Sequence, residues 1–152
     1  MQRSSGSILA VAVTGWFGLS ACDTSAVGVE SCRQIEYARC NAAVHCPNIY
    51  TISDPTACRR FYRDHCLHGL PLAQDPGAAA VNPCVNAINA IATCAEEKGG
   101  TTALNQCDRP SNPTAQELNS TAPVCDLIRD PETISQCSFL NPGATAGDSG
   151  SN

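Results

Sequence analysis

Two segments with the same cysteine spacing decide the fold: CRQIEYARC at residues 32–40 and CRRFYRDHC at residues 58–66. In each segment seven residues separate the two cysteines. Two helices with equal spacing and a short connection pack antiparallel, so that the first cysteine of one lies beside the last cysteine of the other. The sequence therefore predicts a helical hairpin closed by two disulfides, Cys32–Cys66 and Cys40–Cys58.

Start and stop signals predict three helices along the chain. The first helix follows a capping box from Ser31 to Gln34, in which side chains bond the free amides of the first turn, and it ends before Pro47. Each of the other two begins at a capping residue followed by proline and ends at glycine. We expect these helices at residues 32–46, 55–68 and 83–98, with Asp54 and Asn82 as the caps of the second and third.

The second helix has two unlike faces. One face carries Cys58, Phe61, Tyr62, His65 and Cys66, and we expect the other, with Arg59, Arg60 and Arg63, to be exposed. In an acidic chain these arginines form a candidate binding cluster for lipid headgroups, polysaccharide or an acidic envelope protein. The alternative is an ordinary solvated helix face, which is the usual role of a charge run.

The signals weaken after Gly100. Val124 to Arg129 fits either an extended segment or a turn of helix, and Asp130-Pro131 opens a short helix that runs through Cys137 and Phe139. Taken together, the patterns predict a mainly α fold: a small disulfide-rich helical domain over residues 31–140 with an antiparallel helical hairpin and an irregular C-terminal part. Residues 141–152 lack apolar anchors and are predicted to form a disordered tail. The hairpin resembles twin-cysteine helical hairpins, whose cysteines are spaced differently, and this likeness implies geometry only.

The cysteines compensate for a poor core. From Cys22 onward only 22 of 131 residues are Leu, Ile, Val or Phe, a share below that of ordinary folded domains. The chain lacks any C-x-x-C pair, so the common zinc and redox patterns are missing and a structural role is favoured. We expect five disulfides among Cys32, Cys40, Cys46, Cys58, Cys66, Cys84, Cys94, Cys107, Cys125 and Cys137.

The N-terminus has the anatomy of a secretory leader. Arg3 precedes an apolar stretch that ends in Leu19-Ser20-Ala21-Cys22. These four residues resemble a bacterial lipobox, and the resemblance implies a lipoprotein precursor: a signal peptide over residues 1–21, acylation of Cys22, a tether over residues 22–30, and export to the cell envelope with the membrane as a partner. Asp23 resembles the inner-membrane retention signal of enteric bacteria. The alternative is an ordinary signal peptide cleaved after Ala26 or Gly28.

Charge and histidines limit the remaining functions. Without the leader, eight Lys and Arg stand against fourteen Asp and Glu, so nucleic-acid binding is not expected. His45, His65 and His68, with Asp64, could bind zinc or copper, although packing or solvated histidines explain them better. We therefore predict no cofactor, no metal and no catalytic residue.

The sequence predicts a lipid-anchored, disulfide-stabilised envelope lipoprotein that acts as a non-catalytic binding or structural module. Two alternatives stay open: a secreted cysteine-rich effector or inhibitor, and a small metal-dependent enzyme that uses the three histidines.

Overall fold

The computed structural model describes residues 26–48, 52–107 and 120–141. Four α-helices carry the fold: α1 (Val29–Ala43), α2 (Pro55–His65), α3 (Gly77–Lys98) and α4 (Val124–Arg129). Short 3-10 helices follow α2 and α3 and complete the C-terminal part, at Cys66–His68, Leu104–Gln106, Pro131–Thr133 and Ser135–Leu140. In these ranges the only β pairing is one antiparallel bridge, so the predicted disulfide-rich, mainly α class is confirmed. The leader, Cys22 and the predicted tail beyond Asn141 lie outside the described residues.

Helix α1 begins earlier than predicted. Gly28 adopts a left-handed conformation with φ 64°, and the helix starts at Val29. The capping-box prediction is wrong, because Ser31 lies inside the first turn and donates its hydroxyl hydrogen to Asp75 Oδ1 at 2.7 Å. The tether predicted over residues 22–30 therefore overlaps the start of α1.

Helix α2 begins as its sequence indicates. Asp54 Oδ1 accepts a hydrogen bond from the Thr56 amide at 2.7 Å, and Pro55 occupies the first turn, where a missing amide proton costs nothing. The α-helix ends at His65 and continues as the 3-10 turn Cys66–His68 up to Gly69. We call α2 with this turn, residues 55–68, the α2 arm.

Helix α3 starts six residues before the predicted position, so the Asn82 cap is wrong. Asp75 Oδ1 accepts a hydrogen bond from the Gly77 amide at 3.0 Å, and the alanines at residues 78–80 favour helix strongly enough to extend it through Pro83. Proline cannot donate to the carbonyl of Ala79, but Ala79 is exposed and solvent can satisfy that group. The predicted end at Lys98 is confirmed.

The C-terminal part is helical but broken. Val124–Arg129 forms the short helix α4 instead of an extended segment. The single short helix predicted after Asp130 is two 3-10 segments, because Ile134 between them is extended (φ −83°, ψ 131°) and buried.

The apolar core lies between α1, α3 and α4. Its largest fully buried side chains are Ile35, Val81, Ile88, Leu104, Val124, Ile128 and Ile134. Helix α3 is central and is long and apolar enough to cross a membrane by length and composition alone, with a mean hydropathy of 1.2. Eight of its residues are buried inside the domain, which is typical of the core helix of a globular fold.

Five disulfides pair all ten cysteines of the described residues. Two are the predicted hairpin disulfides, Cys32–Cys66 and Cys40–Cys58. The other three tie the ends of α1 and α3 to the C-terminal half, at Cys46–Cys125, Cys84–Cys137 and Cys94–Cys107. The fold thus consists of a small stapled core with a stapled helical arm on α1.

Candidate functional site

The α2 arm lies on the outside of the domain. Of the residues of α2 only Cys58 is buried, and the arm contributes no residue to the main core cluster. Two disulfides with Cα–Cα distances of 5.7 Å hold the arm on α1. Arg33 of α1 adds a clamp, because its guanidinium donates to the carbonyl of Arg63 at 3.1 and 3.3 Å. Covalent bonds and one charged side chain therefore fix a helix that adds little apolar burial.

A row of rings runs along the outer side of the arm. The ring of Phe61 stacks on His65 with centroids 5.5 Å apart, and His65 contacts His68 at 6.2 Å. Phe61 is 61% exposed and Leu67 is 57% exposed. The expectation that Phe61 and His65 share the buried face of the cysteines is wrong, because α1 covers only a narrow stripe of the arm.

Two of the three arginines of the predicted cluster are exposed, and one of these two pairs with an aspartate. Arg60 and Arg63 are exposed as expected, whereas Arg59 is half-buried. Arg63 Nε lies 3.0 Å from Asp64 Oδ1, and this hydrogen bond together with the arginine charge lowers the pKa of Asp64. We define the arm surface as Phe61, His65, Leu67 and His68 with Arg60 and Arg63.

Arg39 and Glu36 of α1 form a polar cluster that also contacts α2 and α4. Arg39 of α1 binds both oxygens of Glu36, at 2.8 and 3.0 Å, and also donates to the carbonyls of Ile128 and Arg129 at the end of α4, at 3.1 and 2.7 Å. Burial raises the pKa of Glu36, against the opposing effects of Arg39 and of a hydrogen bond with Tyr62. The sequence analysis missed this group, although opposite charges three residues apart on a helix are a signal for pairing.

The three histidines do not form one site. His45 Nε2 lies 4.0 Å from Glu96 Oε2 of α3, whereas His65 and His68 contact each other on the arm. Over the part of the chain that the structure describes, no three His, Cys, Asp or Glu side chains are placed to hold a metal ion. The metal-dependent enzyme therefore has no metal-binding group among these residues.

The arm surface is the most unusual feature of the described residues, because it combines exposed apolar side chains with arginines in an acidic chain. An exposed apolar surface rimmed by charge is typical of an interaction site. Comparison with family models, curated proteins and solved structures gave no match for this chain.

Proposed function

We propose that the protein is an envelope lipoprotein, anchored through Cys22, whose cysteine-rich domain acts as a non-catalytic binding module. Two features of the chain support its place outside the cytoplasm. The first is the leader that ends in Leu19-Ser20-Ala21-Cys22. The second is the set of five disulfides, which indicates an oxidising compartment.

The binding role rests on one observation: a helix with a single buried residue is held rigidly by two disulfides. A purely structural helix stabilises a domain by burying an apolar face, and α2 does little of this. Rigid presentation lowers the entropic cost of binding, because the surface is already ordered before a partner arrives. The α2 arm therefore suits a surface that meets another molecule.

The test is the intact mass of the full chain after expression in a bacterium and separation of membranes from the medium. We expect membrane-bound protein with the mass of residues 22–152 plus an acylated glycerol. Reduction should add ten hydrogens, two for each of the five disulfides. The matched control is Cys22→Ala, which should carry no lipid.

Two results would contradict the proposal. Protein in the medium that starts after Ala26 or Gly28 and carries no lipid would instead support a secreted effector or inhibitor. A mass that does not change on reduction would reject the disulfide framework in the living cell.

A further inference from the structure

The end of the α2 arm lies against the point where the N-terminal segment enters the domain. The amide of Leu70 donates to the carbonyl of Val27 at 2.7 Å. The approach is close enough that a Cβ atom at Gly69, where φ is +74°, would overlap the backbone of Val27. The exposed side chains of Leu67 and His68 therefore precede by only a few residues the contact between Leu70 and Val27, where the N-terminal segment enters the domain.

The distance from this point to the proposed anchor is short. Five residue steps join Cys22 to Val27. At about 3.6 Å per step, a fully extended chain spans roughly 18 Å. Because a lipid on Cys22 would hold that residue at the membrane, the end of the arm would be kept close to the headgroups.

The chemistry of the arm surface suits a bilayer interface. Phe61 and Leu67 offer exposed apolar side chains, and the rings of His65 and His68 continue the row to the end of the arm before Gly69. Amphipathic helices bind membranes with apolar side chains at the acyl boundary and basic side chains beside the headgroups.

Charge distribution favours the same orientation. Helix α2 has three arginines against one aspartate, whereas the remainder of the chain after residue 21 has five basic residues against thirteen acidic ones. An anionic membrane attracts the arm and repels the rest of the domain. The net positive charge is thus confined to α2, whereas acidic Glu30 and Asp75 lie at the entry point itself.

We infer that the arm surface docks on an anionic lipid bilayer, with Phe61 and Leu67 in the interface and Arg60 and Arg63 beside lipid phosphates. This inference rests on the proposed anchor at Cys22 and names the ligand of the binding module.

A tryptophan placed in the arm surface tests the docking. Trp16 is the only tryptophan of the chain and lies in the leader, so Phe61→Trp provides a single probe in the processed protein. The full chain is purified from bacterial membranes and reconstituted into phosphatidylcholine vesicles with or without phosphatidylglycerol. The readouts are flotation, the emission maximum and quenching by brominated lipid. The matched control is Ser138→Trp, at an exposed position of the C-terminal 3-10 segment.

Docking predicts that the Phe61→Trp indole emits at shorter wavelength and loses more than half of its emission to brominated lipid in anionic vesicles, whereas the Ser138→Trp indole does not. Adding Arg60→Gln and Arg63→Gln should reduce this quenching without changing flotation. Equal quenching of the two probes in floating protein overturns the docking and leaves the anchor intact. Protein that does not float with the vesicles rejects both the anchor and the docking.

Discussion

The core and the α2 arm of this domain are held by different forces. In the core, Ile88 and Ile128 are completely buried among side chains of several helices. In the arm the one buried residue of α2 is Cys58, which is itself half of a disulfide. Apolar burial is distributed over many contacts, whereas a disulfide acts at one point. The difference indicates that the core defines the fold and that the arm is attached to it as a rigid accessory.

The largest effect should come from opening the disulfides that close long stretches of the core. Cys46–Cys125 joins residues 79 apart and Cys84–Cys137 joins residues 53 apart. In the chain-entropy view each is worth on the order of 4 kcal/mol, so losing both removes most of the stability of a small domain. The variant in which Cys46, Cys84, Cys125 and Cys137 are all alanine should therefore be unfolded in water at about 25 °C. Circular dichroism should show the loss of its helices.

The corresponding change in the arm should have a local effect. Replacing Cys32, Cys40, Cys58 and Cys66 by alanine should free α2 while α3 stays folded. Hydrogen exchange should then be fast at the amides of α2 and still slow at those of the buried part of α3. Amides of α2 that remain protected would show that packing, and not the disulfides, holds the arm.

A second comparison removes one large side chain from each region. Ile88 is 0% exposed, so Ile88→Ala should cost about 2–5 kcal/mol through lost burial and an unfilled cavity. Phe61 is 61% exposed, so Phe61→Ala should change the free energy of unfolding by no more than about 0.5 kcal/mol. Urea unfolding of both variants measures the difference. Similar losses would mean that Phe61 stabilises the fold and is not available as a binding residue.

The arm was more predictable than the core for a physical reason. The equal spacing of cysteines in α1 and α2 and the Asp54-Pro55 start are local signals, and the structure confirms the hairpin and its two disulfides. The other pairs join distant segments, such as Cys46 to Cys125, and depend on how α3 and α4 pack. The spacing of cysteines along the chain does not specify these three pairs, because six cysteines allow about fifteen pairings and the sequence favours none of them.

Errors at helix starts have a similar origin. Asp75-Pro76 precedes α3 and carries the same type of signal as Asp54-Pro55, but Asn82-Pro83 inside the helix repeats it. Asp75 accepts bonds from the Gly77 amide and from the Ser31 hydroxyl of α1, and the second of these is a tertiary contact that the sequence does not show. Only part of the candidate site could be predicted from the sequence. The arginines on α2 were expected to be exposed, but the exposure of Phe61 depends on how little of α2 is covered by α1.

A third comparison uses two glycines with similar backbone conformations. Gly69 ends the arm with φ +74° and touches the backbone of Val27, whereas Gly99 ends α3 with φ +93° and has open space around it. Both alanine variants carry backbone strain of about 1–3 kcal/mol. Gly69→Ala should cost about 1–3 kcal/mol more, because its methyl group would overlap the backbone of Val27. The difference in Tm between the two variants measures the effect of the close approach, because both carry the backbone strain. Equal losses of stability would show that residues 26–28 are not fixed against the arm.

The smallest effect is a pH dependence at Glu36, where core and arm meet. Burial raises the pKa of this carboxyl, with Arg39 and Tyr62 acting in the opposite direction. Between the ordinary pKa of 4.5 and the raised pKa of the folded state, the folded chain therefore binds more protons at this carboxyl than the unfolded chain does. Glu36 stabilises the fold most below that value, and its contribution is lost as the pH rises through the folded pKa.

Glu36→Gln should remove this fall in stability. The free energy of unfolding, measured in urea between about pH 4 and pH 7, should decline less steeply with rising pH for the variant than for the wild type. Glu97→Gln on the exposed side of α3 is the control for the loss of one negative charge and should keep the wild-type slope. At lower pH the opposite trend should survive in all three proteins, because hydrogen bonds lower the pKa of Asp54 and of Asp75, and the stability from these carboxylates is lost as they are protonated. Parallel curves for Glu36→Gln and the wild type would mean that folding does not raise the pKa of this carboxyl.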